Sequence, residues 1–193
     1  MTTARDNVYL VRHGETAWSI TGQHTGRTDL ALTARGEEQA RALGPRFTGV
    51  TFDRVLSSPL RRARQTCELA GFGGRAMIDP DLLEWDYGLY EGRTLADIHQ
   101  ERPDWELFRD GCPGGESILQ ITERVDRVVS RLRTLRGTVL IFSSGHLLRL
   151  LAARWIDASA TLGRRLMLDP ASISVLAYDH SGVDRVIRLW NER

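Results

Sequence analysis

The chain has 193 residues, 41% of them hydrophobic and 26% charged, the balance of an ordinary soluble globular protein with length enough for one well-filled core. Its formal net charge of +1 offers no electrostatic ground for binding nucleic acid or an acidic membrane surface. All 26 basic residues are arginine, which excludes Schiff-base chemistry and a P-loop lysine and leaves Arg, His, backbone N–H groups and hydroxyls to build any anion site.

From the N-terminus, the apolar run 8–11 reads as a buried strand, and it ends in Arg12-His13-Gly14 rather than in ordinary turn residues. A helix is expected over 34–47, a strand over 54–57 and a helix over 60–70, with Pro59 in the first turn and Ser58 as its N-cap. A third strand at 76–78 leads into DLLEWDYGLYEG (81–92), whose aromatic residues and glycines suggest a pocket wall. A helix over 95–108 and the loop GCPGGE (111–116) follow. The helix over 117–136 has the clearest period, with Ile118, Ile121, Val125, Val128, Leu132 and Leu135 on one face. Strand 138–143 runs into Ser144-Gly145-His146 and a helix over 147–156, and strands at 172–178 and 183–189 close the chain. This alternation predicts one α/β domain over 1–193, a three-layer α/β/α sandwich with a mostly parallel sheet.

The first residues, MTTARDNV, lack the apolar core of a signal peptide, and no apolar run approaches the ~20 residues that span a bilayer. Cys67 and Cys112 lack metal-ligand spacing and read as free thiols, so a cytoplasmic protein is expected.

Three strands end alike, in Arg12-His13-Gly14, in Ser58-Pro59-Leu60-Arg61-Arg62 and in Ser144-Gly145-His146. In open α/β sheets ligands bind outside the carboxyl ends of the strands, so Arg12, His13, Arg62 and His146 are expected to face one small volume. Helix N-termini there would add free N–H groups suited to a phosphate. Arg62 lies in the first part of its helix, where the dipole disfavours a cation and a bound anion would reverse the cost. A neutral imidazole is a competent nucleophile toward phosphorus, and Glu84, Asp86 and Glu91 offer a carboxylic acid for the departing alkoxide.

In this order LVRHGETAW, SSPLRRARQT, LLEWDYGLYEG, PGGES and SSGHLLR resemble the histidine phosphatase superfamily, which includes the cofactor-dependent phosphoglycerate mutases, over nearly the whole chain. The resemblance implies the phosphoglycerate mutase-like fold and a phosphohistidine intermediate on His13. Arg12, Arg62 and His146 would cradle the phosphoryl group, Glu84 would be the acid and then the base, and no metal or other cofactor is implied. Ser19 stands where the mutases usually have Asn, and 92–115 is short where they carry a long insertion, so hydrolysis is expected over mutase activity. Within the phosphatases, WSITGQHTGRTDLALT and WELFRDGCPGGES resemble the subgroup of sedoheptulose 1,7-bisphosphatase-like enzymes and broad-range acid phosphatases. Ser19, His24, Thr25, Gly26, Tyr87 and Arg109 match its pocket. Thr25 and the Gly26 N–H would donate to phosphate oxygens, and His24 and Arg109 would meet a second phosphate or sugar hydroxyls. The expected partner is a small phosphorylated metabolite, with a C-terminal edge strand available for a homodimer. A phosphoglycerate mutase and a non-catalytic phosphate-binding regulatory module are the alternatives.

Overall fold

A computed structural model describes residues 7–193, so the reading of the first six residues lies outside the described part. Strand β1 (Val8–Arg12) alternates, with Val8 and Leu10 in one core cluster and Val11 in the other. Strand β4 (Val139–Ser143) divides in the same way, Val139 and Ile141 against Leu140 and Phe142, and every one of its residues is buried. Two apolar faces on one strand need a covering layer on each side, the pattern of an internal strand in an α/β sheet.

Among the described residues the sheet has six strands in the order β3-β2-β4-β1-β5-β6, with β2 at Arg54–Ser57, β3 at Ala76–Ile78, β5 at Ile173–Tyr178 and β6 at Arg185–Glu192. Pairs β1–β4, β2–β4 and β2–β3 are parallel, while β5 runs antiparallel to both β1 and β6. The last strand begins at Arg185 rather than at Val183, because Asp179 accepts from the N–H groups of Gly182, Val183 and Asp184 and folds that stretch into a turn.

Helices α2 (Ala34–Arg46) and α3 (Arg61–Leu69) cover one face through Leu43 and Cys67. The other face carries α6 (Ile118–Thr134) and α7 (Gly145–Trp155), whose buried stripes include Ile121, Val125, Val128, Leu148 and Leu151. The short helix α1 (Ala17–Thr21) lies between β1 and α2. The helix expected over 95–108 is two, α4 (Leu95–Glu101) and α5 (Leu107–Asp110). Pro103 disfavours helical backbone at Arg102, which sits at φ −137° and ψ 81°.

Helix α3 starts at Arg61, and Ser58 is not its N-cap; the Arg61 N–H donates instead to Asp29 Oδ1 at 2.6 Å. Both cysteines are free and buried, and burial pushes each thiol up to about 12, which makes them unreactive at neutral pH. Among the described residues no helix is long and apolar enough to cross a membrane.

Candidate active site

Parallel pairing sets Arg12 beside Ser143 and Ser57 beside Phe142, so β1, β2 and β4 reach their carboxyl ends together. A cavity of about 180 Å³ opens there, and Arg12, His13, Glu84 and His146 all line it. Ser19, His24, Thr25 and Tyr87 line it as well.

His13 follows β1 and is 4% exposed. Its backbone N–H donates to the Ser143 carbonyl at 2.9 Å, and its Nδ1–H donates to the Gly14 carbonyl at 2.8 Å. Since a carbonyl only accepts, the lone pair is left on Nε2. Burial, with the Arg62 and Arg12 charges adding to it, holds the imidazole well below its ordinary value of 6.5, so the ring is neutral at pH 7. Gly14 is required by a close approach, because a Cβ there would stand 2.4 Å from the Gly36 carbonyl oxygen. The Gly14 N–H donates to Thr66 Oγ1 at 3.0 Å, which ties the turn after His13 to α3.

Arg12 donates through Nη1 to the Leu168 carbonyl, while its Nε is buried without a hydrogen-bond partner. A buried guanidinium N–H beside a neutral imidazole is a donor available to an anion.

The Glu84 side chain is 3% exposed, and three backbone N–H groups hold it. Oε1 accepts from Trp85 and Leu147 at 2.9 and 2.8 Å, and Oε2 accepts from His146 at 3.0 Å. Glu84 therefore caps α7 from another part of the chain, as Ser144 makes no cap bond of its own. The N-termini expected to be free for phosphate are thus occupied, α7 by Glu84 and α3 by Asp29.

His146, on α7, shares a 2.6 Å hydrogen bond between its Nδ1 and the Tyr87 hydroxyl. Burial raises the Tyr87 phenol well above 10, so the hydroxyl keeps its proton, donates to Nδ1 and leaves Nε2–H on His146. Desolvation, then the charge of Arg149, lowers the His146 imidazole well below 6.5, so this ring is neutral too.

The other expected residues divide. Ser19 Oγ is held in the α1 capping box, donating to the Thr16 carbonyl at 2.8 Å and accepting from the Thr16 N–H at 2.8 Å. His24 donates from Nδ1 to the Arg93 carbonyl at 2.8 Å, and Thr25 Oγ1 donates to the Gln23 carbonyl at 3.1 Å. Gly26 lies outside the cavity lining, and its N–H donates to the Glu91 carboxylate at 2.9 Å instead of facing a ligand. Arg62 is fully buried but does not line the cavity. It donates to the carbonyls of Thr25, Gly26 and Thr28 at 2.9–3.0 Å and to Ser144 Oγ at 3.3 Å, clamping the loop 25–28. Arg109, on α5, is exposed, paired with Asp110 at 2.7 Å, and does not line the cavity.

Sequence reasoning missed Arg149, which lines the cavity from α7. Its signal was present in SSGHLLR, since Arg149 stands three residues after His146 and so shares its helix face. Gln23 and Leu168 also line the cavity without having been singled out. Among the described residues no three His, Cys, Asp or Glu side chains come together as a metal-binding group.

A mostly parallel sheet that gathers imidazoles and a guanidinium at its carboxyl edge defines an α/β protein built to receive small anions there. The chain belongs to the histidine phosphatase superfamily, whose branch 1 matches residues 8–193. It is 39% identical over 175 residues to an acid phosphatase of Mycobacterium tuberculosis, covering 89% of this chain and 86% of that one. It is 36% identical over 181 residues to sedoheptulose 1,7-bisphosphatase of Saccharomyces cerevisiae, covering 76% of this chain and 66% of that one. It is also 35% identical over 184 residues to a protein of Escherichia fergusonii named as a probable phosphoglycerate mutase, GpmB, covering 90% and 86% of the two chains. The solved structure of the Mycobacterium tuberculosis open reading frame Rv3214 superposes with a TM-score of 0.91 at 37% identity, covering 97% of each chain. The protein is a phosphatase of this superfamily, and its fold is the one expected.

Proposed function

We propose that the protein hydrolyses small phosphomonoesters, sugar phosphates and bisphosphates above all, through a phosphohistidine on His13 with Glu84 as general acid and base. The observation that carries this reading is the pair of tautomers, a lone pair on His13 Nε2 and an N–H on His146 Nε2, in one cavity with Glu84. His13 Nε2 attacks phosphorus as the ester P–O bond breaks, and the Glu84 carboxylic acid gives its proton to the leaving alkoxide. Water then attacks the phosphoryl group, Glu84 takes a proton from it, and the P–N bond breaks to release phosphate and neutral His13. Arg12 Nε–H and His146 Nε2–H donate to the phosphoryl oxygens, and Arg62 acts from behind by holding the loop 25–28 and helping to keep His13 neutral.

The test uses an ester with a good leaving group, p-nitrophenyl phosphate. Glu84→Gln is expected to release about one equivalent of nitrophenolate in a burst and then stall, because the first step scarcely needs the acid while the second needs the base. The acid-labile phosphoramidate is expected on rapid quenching, and neither burst nor phosphoramidate in His13→Ala. Turnover in His13→Ala near the unmodified rate would falsify the mechanism. The mutase reading has the Escherichia fergusonii relative in its favour. Phosphate transfer between glycerate positions, dependent on 2,3-bisphosphoglycerate and faster than hydrolysis, would establish it instead.

A further inference from the structure

We propose that Asn191 positions Arg12: it fixes the segment 167–172, whose backbone aims the Arg12 guanidinium at the phosphoryl group. This rests on the phosphatase reading above, in which the Arg12 Nε–H meets a phosphoryl oxygen.

Three backbone groups of that segment hold Arg12. Its Nη1 donates to the Leu168 carbonyl, its backbone N–H donates to the Ser172 carbonyl at 3.3 Å, and its carbonyl accepts from the Ala171 N–H at 3.1 Å. The Ala171 N–H is shared with the His13 carbonyl, also at 3.1 Å, so one short segment touches both residues. A guanidinium is planar, so the Nη1 contact also sets the direction of the Nε–H that has no partner. The segment itself lies between the 3₁₀ turn 160–165 and β5, outside any helix or strand. Ala171 is at φ 54°, left-handed backbone that a residue with a Cβ adopts only where its surroundings impose it.

Strand β6 imposes it. Between the pairs Val175–Leu189 and Ile173–Glu192, β6 advances three residues where β5 advances two, which is a bulge. Asn191 sits in the bulge at φ 57°, a conformation that asparagine tolerates better than most residues. Its Oδ1 accepts from the Asp169 N–H at 2.6 Å, and its Nδ2 donates to Asp169 Oδ2 at 3.2 Å. A backbone N–H only donates, which fixes the amide orientation and turns Nδ2 to the carboxylate. The Asn191 N–H donates to Ser174 Oγ at 3.0 Å, and Ser174 pairs with Leu10 of β1, so the bulge is anchored to the sheet. Trp190 adds a bond from its Nε1–H to the Met167 carbonyl at 2.6 Å. Arg193 stands 3.6 Å from the Asp169 carboxylate, but both side chains are exposed and that pair holds little. Among residues that tolerate left-handed backbone, glycine would offer neither bond to Asp169, and aspartate would set one carboxylate against another.

The test uses Asn191→Gly in the full-length protein, which keeps the left-handed backbone and removes both bonds to Asp169. With p-nitrophenyl phosphate, kcat/KM is expected to fall by about 100-fold, the cost of a small misplacement beside the reacting atoms. Affinity for orthovanadate, titrated calorimetrically, is expected to fall with it, while a thermal melt shows a folded protein. Asn191→Asp is expected to be impaired in the same two readouts. The deciding comparison is a double-mutant cycle with Arg12→Ala, where Asn191→Gly is expected to cost less than about threefold because no guanidinium remains to be aimed. Arg12→Lys repeats the cycle with a side chain that fills the site without the planar fork. An equal loss with and without Arg12 makes Asn191 a structural residue only and overturns the proposal, as does a loss below about threefold in otherwise unmodified protein. Unchanged turnover and orthovanadate affinity in Arg12→Ala would refute the role of Arg12 and the proposal with it. The orthovanadate titrations run through the same cycle. They decide the role of Asn191 even if His13→Ala retains turnover and the phosphohistidine reading fails.

Discussion

His13 and His146 are both neutral in this cavity, yet the Gly14 carbonyl on one and the Tyr87 hydroxyl on the other give them opposite tautomers, one presenting a lone pair at Nε2 and the other an N–H. Tyr87 is 2% exposed, so Tyr87→Phe keeps its packing while freeing His146 Nδ1 to take the proton. The expected outcome is a fall in kcat of about 100-fold, the low end of what losing one preorganised donor to a developing oxyanion costs. Steady-state kinetics beside a thermal melt checks it; a large drop in melting temperature with kcat intact would make Tyr87 a packing residue only.

At the scale of elements, the site depends on close approaches between segments far apart in sequence. A Gly14→Ala side chain would press on the Gly36 carbonyl at the start of α2, so the turn after His13 must move. A displacement of this size in the nucleophile is expected to lower kcat/KM by about 100-fold, and a near-normal value in the variant would contradict this. Helix α6 fastens the segment that carries Glu84. Arg124 pairs with Glu116 through two bonds of 2.7 and 2.8 Å and also donates to the carbonyls of Asp81, Leu83 and Glu84. Arg124→Ala leaves the Glu116 carboxylate largely buried without its cation, which is expected to cost about 3–5 kcal/mol in denaturant unfolding. A loss below about 1 kcal/mol would mean that the pair is worth no more than a surface salt bridge.

For the molecule as a whole, the buried imidazoles tie stability to pH. Burial lowers His13 and His146 well below 6.5 and lowers His24 in the same direction, so the unfolded chain takes up protons that the folded chain refuses. The stability these neutral rings carry is full above pH 6.5 and is lost progressively as the pH falls below it toward their folded values. Each such proton contributes a slope of about 1.4 kcal/mol per pH unit. Chemical denaturation between mildly acidic and neutral pH measures this, with a shallower dependence expected in His13→Ala. A flat profile would show that the imidazoles are not held neutral by the fold.

Six strands, the amphipathic face of α6 and the gathering of Arg12, His13 and His146 at strand ends were all legible in the sequence. Hydrophobic period and the position of a residue just after a strand are local properties, and the family motifs extended them to Glu84. The direction in which a long side chain points, and the group that meets it, are not local. Arg62 was expected to face a ligand and instead holds backbone carbonyls 34–37 residues away. Glu84 was expected as a proton donor, but its place as the cap of a helix 62–63 residues later could not be read from its neighbours. Gly26 and Arg109 were assigned to the pocket by motif, while Arg149 lines it. Motif and pattern determined the chemistry available at the mouth of the sheet. Packing of distant segments, each with donors and acceptors to satisfy, determined which cations face the cavity and which are tied into the fold.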